Sequence, residues 1–277
     1  MLLTILLVAV GGLTLGALAV LLLVCVGRSR RRMPLDRRSQ FVARLRKASP
    51  YIAGLTFVLL VNKGLQRQIE RFSRAYGVEA GDWFYSVEGA FVPWFQQLFP
   101  EVGVLYFSPI YVVGYVVLLV FPLVAYLVAD TLRPLRTLLV AYAINYAVAV
   151  VCYATVYAYG PRNYGDGSSD AASADAPMLE LFPEITVLTA QVNVNTNVFP
   201  SLHTALSVTV MALAVSTHDQ FPRWTAVAVA LGSSIVAATM YLGIHWLIDV
   251  VAGVILGLGS VLLARSIVSR IETSRVE

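Results

Sequence analysis

Apolar runs long enough to cross a bilayer alternate along the chain with short basic or proline-bearing turns. Leu2 to Val26 holds 25 residues without a charge. Further runs cover Val102–Val128, Leu135–Tyr159, Phe199–Ser216, Thr225–Leu242 and His245–Ala264. A helix of roughly 20 apolar residues crosses a hydrocarbon core of about 30 Å, so each run predicts a membrane helix. Tyr51–Val61 is too short alone. It becomes a span only if the helix continues through Asn62 and Lys63, with the lysine reaching back to the surface. The first run has no basic start and exceeds the roughly 7 to 15 apolar residues of a secretory signal. It predicts a retained helix.

The basic residues orient these helices. Residues 27–50 hold nine Lys/Arg, among them Arg28, Arg30, Arg31, Arg32 and Arg44, and such a loop stays in the cytoplasm. Arg133 with Arg136, then Arg223, then Arg265, Arg270 and Arg275 mark three more cytoplasmic segments. All four share one side only if the chain also crosses between residues 50 and 102. Tyr51 onward is therefore read as a span, giving seven helices with the N-terminus outside. Fifteen of the 20 basic residues then face the cytoplasm. The expected architecture is an all-α polytopic membrane bundle, a six-helix core plus one N-terminal transmembrane helix. Residues 1–49 form the first helix and its basic loop, 50–264 the membrane domain and 265–277 a cytoplasmic tail.

Composition agrees. The chain is 58% hydrophobic and 13% charged over 277 residues, with a mean hydropathy of +0.75. An ordinary soluble domain is about 25% charged. A disordered chain, a nucleic-acid-binding domain and a typical soluble enzyme are excluded. Cys25 and Cys152 sit in apolar runs and read as small buried side chains, not as a disulfide or a metal site.

Two predicted outer loops are long. In residues 70–101, Phe84, Phe91, Phe95 and Phe99 fall near one helical face, which suits the membrane–water interface or packing beneath a lid. In residues 160–198 the stretch from Gly165 to Asp175 is acidic and polar, with no metal-ligand spacing.

Candidate chemistry concentrates in two short segments. His203 lies in Phe199-Pro-Ser-Leu-His203, where proline suits a first helical turn. Ser201 and His203 are expected in that turn, whose N–H groups and dipole attract anions. His245 and Asp249 are four residues apart in His-Trp-Leu-Ile-Asp, one helical turn. A carboxylate beside an imidazole fixes its tautomer and stabilises its charged form, and Asp249 is an ionisable group inside an apolar run. The predicted orientation places both histidines at the outer face, together with Arg162 at the end of the helix from Leu135. Arginine grips phosphate oxygens through two parallel hydrogen bonds. His218, in a polar turn, reads as a surface residue.

Phe199-Pro-Ser-Leu-His203 and Met240-Tyr-Leu-Gly-Ile-His-Trp-Leu-Ile-Asp-Val-Val-Ala-Gly253 resemble the last two signature motifs of the phosphatidic acid phosphatase type 2 superfamily. They look closest to its branch of inositol phosphorylceramide synthases. The resemblance implies a membrane phosphatase or phosphotransferase acting on a lipid-linked phosphate, with water or a polyol such as inositol as acceptor. By it His245 would become a phosphohistidine and Asp249 would orient it. His203 would protonate the leaving oxygen and then activate the acceptor. Ser201 and Arg162 would bind the phosphoryl oxygens. No cofactor or metal is implied, because no carboxylate or histidine cluster is available to hold one.

Two cations of the family pattern are missing. No lysine precedes Arg162 in the first motif, and Thr239 stands where the third motif has arginine. Fewer cations suit a less charged diester donor, which favours transfer, and hydrolysis stays open. Two further readings stand beside this one: a transporter or channel using the His/Asp cluster as a proton relay, and an inactive scaffold. The expected location is the plasma membrane, with an extracytoplasmic site and a cytoplasmic C-terminus.

Overall fold

The computed structural model describes residues 2–26, 38–99, 101–164, 174–182, 196 and 198–274. Among them the chain is an all-α bundle. α1 (Leu2–Leu21) runs on through a wide turn at Leu22–Val26. α2 covers Arg38–Tyr76, followed by two short helices, α3 (Gly81–Glu88) and α4 (Phe91–Gln97). α5 (Glu101–Pro109), a π turn at Ile110–Gly114 and α6 (Tyr115–Leu127) succeed one another without a break. Then come α7 (Arg133–Thr155), the short α8 (Pro177–Leu181), α9 (Leu202–Ser216), α10 (Pro222–Tyr241) and α11 (Leu247–Thr273). Among the described residues the strands are confined to Val78–Glu79, paired in parallel with Val156–Tyr157.

Among the described residues six helical stretches are long and apolar enough to cross a membrane: Leu3–Val26, Ser39–Tyr76, Val102–Leu127, Arg133–Thr155, Pro222–Tyr241 and Leu247–Thr273. The protein is an integral membrane helical bundle. α9 is apolar but has 15 residues, about 22 Å at 1.5 Å per residue.

The run at Tyr51 belongs to the 39-residue α2, which continues through Asn62 and Lys63. One boundary differs from expectation: the basic segment read as a loop up to residue 50 is helical from Arg38. Arg44 gives the reason. Its Nε and Nη2 donate to the Leu127 and Ala129 carbonyls at 2.7 and 2.5 Å, so a basic side chain on α2 caps the C-terminal end of α6. Residues 27–37, with Arg28, Arg30, Arg31, Arg32 and Arg37, lie outside the described residues, as does most of the acidic stretch from Gly165.

The first outer loop also differs. Gly89, with φ of 55°, separates α3 from α4, so Phe84 does not share a helix with Phe91 and Phe95. Phe84 is buried against Phe199, with ring centroids 5.7 Å apart. Phe95 contacts Phe99, and Phe99 contacts Phe107 of α5.

The interior is held by interleaved large and small side chains. Phe121 of α6 meets Trp224 of α10 at 4.3 Å between ring centroids, among buried Leu138, Leu206 and Ile235. α9 and α11 approach more closely than side chains would allow. A Cβ on Gly253 would stand 2.6 Å from the Ser201 carbonyl oxygen, and one on Gly257 2.5 Å from that of Ala205. Small residues at such crossings let helix backbones meet inside a membrane. A polar link joins α9 and α11 to α7. Asn145 Nδ2 donates to Thr209 Oγ1 at 2.9 Å, and Ser260 Oγ donates to Asn145 Oδ1 at 3.2 Å. Each buried group thereby recovers a partner in place of water.

Candidate active site

Three helix ends converge at one end of the bundle: the C-terminus of α7 and the N-termini of α9 and α11. Tyr153 of α7 donates through its hydroxyl to the Pro200 carbonyl at 3.1 Å. The Ser201 N–H donates to the Asp249 carbonyl at 3.0 Å. These bonds fix the starts of α9 and α11 against each other, directly above the Gly253 contact.

Ser201 is the cap of α9, not a residue of its first turn. The helix begins at Leu202, Pro200 lies outside it, and Ser201 Oγ accepts from the Thr204 N–H at 3.2 Å. A serine oxygen satisfies an amide that the helix itself leaves unpaired, which favours serine at this position. His203 is the second helical residue. Its ring packs between Tyr111 and Tyr115, with centroids 5.1 and 4.8 Å away. The π turn at Ile110–Gly114 carries Tyr111 and ends just before Tyr115. Wide turns of this kind recur at functional sites. Two tyrosines in an apolar run gave no signal in the sequence, and nothing short of the packing reveals them.

His245 also lies outside a helix. α11 starts at Leu247 with Trp246 as its cap, so a turn, not helical spacing, brings His245 to Asp249. His245 Nδ1 stands 3.5 Å from Asp249 Oδ2. The same oxygen accepts from the Trp246 N–H at 2.9 Å. Both residues are buried, and Asp249 Oδ1 has no hydrogen-bond partner among the described residues. The turn before His245 is built on Gly243, whose φ of 64° suits glycine. The Thr239 carbonyl accepts from the N–H groups of Ile244 and His245 at 2.9 and 3.2 Å. Position 239 thus holds the histidine turn by its backbone.

Arg162 reaches the site through a short turn, Pro161–Asn163. Its N–H donates to the Gly243 carbonyl at 3.0 Å, which ties this strap to the histidine turn. Its Nη1 is buried with no hydrogen-bond partner among the described residues. Burial pushes the Arg162 guanidinium below the usual arginine range, and the Tyr111 hydroxyl opposes that shift. His245 lies within reach of its charge.

The two imidazoles meet. His203 Nδ1 stands 3.3 Å from His245 Nε2, with the rings inclined at 60°. A line therefore runs from Asp249 Oδ2 through both nitrogens of His245 to His203. Ser201 and Arg162 flank it, and His218 is far along α9, in the turn after its C-terminus. Among the described residues no group of three or more His, Cys, Asp or Glu could hold a metal ion.

The arrangement gathers two imidazoles, a buried carboxylate and a buried guanidinium at one end of the bundle. The PAP2 superfamily model matches residues 85–263, a span that takes in every residue of the site. The chain belongs to the PAP2 superfamily, and this membership brings with it phosphatase-type chemistry on phosphate esters. No curated protein and no solved structure matches the chain.

Proposed function

We propose that the protein transfers the phosphoryl or phospho-headgroup of a membrane lipid through a covalent intermediate on His245. The observation that carries this reading is the line Asp249 Oδ2, His245, His203, with gaps of 3.5 and 3.3 Å.

With Asp249 Oδ2 3.5 Å from His245 Nδ1, a proton on Nδ1 faces the carboxylate and the lone pair of Nε2 is left for attack. The pair enters the bond to phosphorus, and the bond from phosphorus to the ester oxygen breaks. Because His203 Nδ1 faces His245 Nε2, a phosphoryl group between the rings has its nucleophile on one side and its proton donor on the other. The departing oxygen takes the His203 proton. His203 then removes a proton from water or a hydroxyl, whose oxygen attacks phosphorus and returns the electron pair to Nε2. Arg162 Nη1 supplies a buried donor for the phosphoryl oxygens. Ser201 contributes by fixing the start of α9, and its hydroxyl stands at the level of the site. At 3.3 Å the rings leave no room for the group between them, so substrate must part them.

The substrate is read as lipid because the site lies at helix ends in a membrane bundle. Transfer to a polyol such as inositol follows from the resemblance to the inositol phosphorylceramide synthase branch, with hydrolysis as the same reaction on water. The basic turns support an extracytoplasmic site and a cytoplasmic C-terminus; we read the membrane as the plasma membrane and the catalytic domain as residues 50–264. The test offers the reconstituted protein phosphatidate, prenyl phosphates and phosphodiester lipids, each with and without inositol. Free phosphate or a new inositol lipid that depends on His245 supports the proposal. Turnover that is unchanged in His245→Ala refutes it.

A further inference from the structure

The start of α11 presents N–H groups that no helix can satisfy internally. Two carboxylates take three of them. Asp249 accepts from Trp246. Glu88 accepts from the next two, Leu247 through Oε2 at 2.8 Å and Ile248 through Oε1 at 2.5 Å. Glu88 ends α3, where Gly89 turns the chain away and donates its own N–H to the Tyr85 carbonyl at 2.7 Å. α3 is held to both halves of the site. Phe84 packs on Phe199, and the Tyr85 ring meets the edge of Trp246 at 6.4 Å between centroids.

Glu88 is also out of place by composition. It lines an apolar groove of about 530 Å³ with Trp83, Phe91, Phe199, Val251 and Ile255. No Lys, Arg or His pairs with it among the described residues. An ionisable group in apolar surroundings needs compensation, and here the two backbone N–H groups supply it. A serine or asparagine cap could satisfy a helix start locally. A carboxylate from a separate element does something more: it pins the turn that carries His245 to α3.

We propose that Glu88 is a positioning residue for phosphoryl transfer, clamping the first turn of α11 so that His245 and Asp249 are held in line with His203. This rests on the reading of His245 as nucleophile. The clamp also occupies the positive end of the α11 dipole, so the phosphoryl group is left to Arg162 and the α9 side. A positioning role differs from a packing role in its kinetics. An interaction that matters for alignment is lost from kcat, with ground-state binding little changed.

The test uses the full chain in lipid nanodiscs with two probes, phosphatidate and a soluble aryl phosphate that has no need of an apolar groove. Glu88→Ala lowers kcat on both probes on the order of 10 to 100-fold, with KM kept within about threefold. Glu88→Gln, whose amide oxygen can accept one N–H while its NH2 opposes the other, falls between wild type and Glu88→Ala. Glu88→Gln carries the decision if Glu88→Ala does not fold. Melting temperature and monodispersity are measured on the same samples. A lower melting temperature with kcat per folded molecule unchanged overturns the inference, as does a loss confined to KM. Wild-type protein that turns over neither probe refutes the nucleophile reading and this inference with it. Wild-type turnover that survives intact in Glu88→Gln and Glu88→Ala refutes the inference alone.

Discussion

His203 Nδ1 and His245 Nε2 face each other across 3.3 Å, although 42 positions separate them in the chain. The contact works only if one nitrogen carries a proton and the other a lone pair. In the proposed mechanism, Asp249 behind His245 Nδ1 leaves the proton on His203 and the lone pair on His245. The roles of acid and nucleophile follow from that assignment.

Replacing the carboxylate tests it. Asp249→Asn keeps the size of the side chain and an oxygen for the Trp246 N–H. It loses the negative charge that stabilises a charged His245, even where its amide oxygen keeps the place of Oδ2. Turnover falls about 10³ to 10⁴-fold, while melting temperature changes little. A loss below about tenfold shows that Asp249 only caps α11.

Arg162 is expected to act through its planar fork. Its Nη1 is buried without a hydrogen-bond partner among the described residues, and Arg162→Lys preserves charge but not the geometry. kcat/KM for a lipid phosphate drops on the order of 100-fold, the cost of one lost donor to a developing anion. Wild-type rates in Arg162→Lys mean that the guanidinium faces away from substrate.

Much of this site was legible in the residue pattern, and the failures have physical causes. His203, His245, Asp249 and Arg162 arrive together because apolar run lengths fix which helix ends share a level. The spacing of His245 and Asp249 suggested one helix turn, yet His245 precedes the helix. A bent turn on Gly243 produces the same contact, and residue spacing does not distinguish the two. Ser201 was expected inside the first helical turn and is its cap instead, because caps and first-turn anion sites favour the same residue. Thr239 stands where the family pattern has arginine, and its carbonyl holds the histidine turn, a backbone role that a side-chain pattern does not reveal. Glu88 and the two tyrosines near His203 come from elements distant in sequence, where no local pattern points to the site. Arg44 was assigned to a loop because charge alone cannot show that it caps α6.

The contact between α9 and α11 predicts where bulk is forbidden. Gly257→Leu drives carbon into the Ala205 carbonyl and destabilises the bundle by about 1 to 3 kcal/mol or more. Gly259 has open space around its Cβ position, so Gly259→Leu is tolerated. Melting temperatures in one detergent compare the two, and equal losses contradict the close crossing.

Glu88 predicts a pH dependence of stability. Burial raises its carboxyl above the usual carboxylate range. The Leu247 and Ile248 N–H groups oppose that shift, and Asp249 adds to it. Between the ordinary and the raised value the folded state binds more protons than the unfolded one. Stability therefore declines as pH rises through that interval, and Glu88→Gln lacks this decline. Subtracting the melting temperature of Glu88→Gln from that of wild type gives a difference that shrinks as pH rises. A difference that grows with pH contradicts the burial of Glu88.

The most direct measurement looks for phosphate on the protein. A soluble aryl phosphate has a leaving oxygen that needs little protonation, so His203→Ala still forms the intermediate but lacks the base to release it. Rapid alkaline quench followed by peptide mass spectrometry should then show a phosphoryl group on His245, more of it in His203→Ala than in wild type and none in His245→Ala. A phosphoryl group on any other side chain, or product released at the wild-type rate by His245→Ala, contradicts the mechanism.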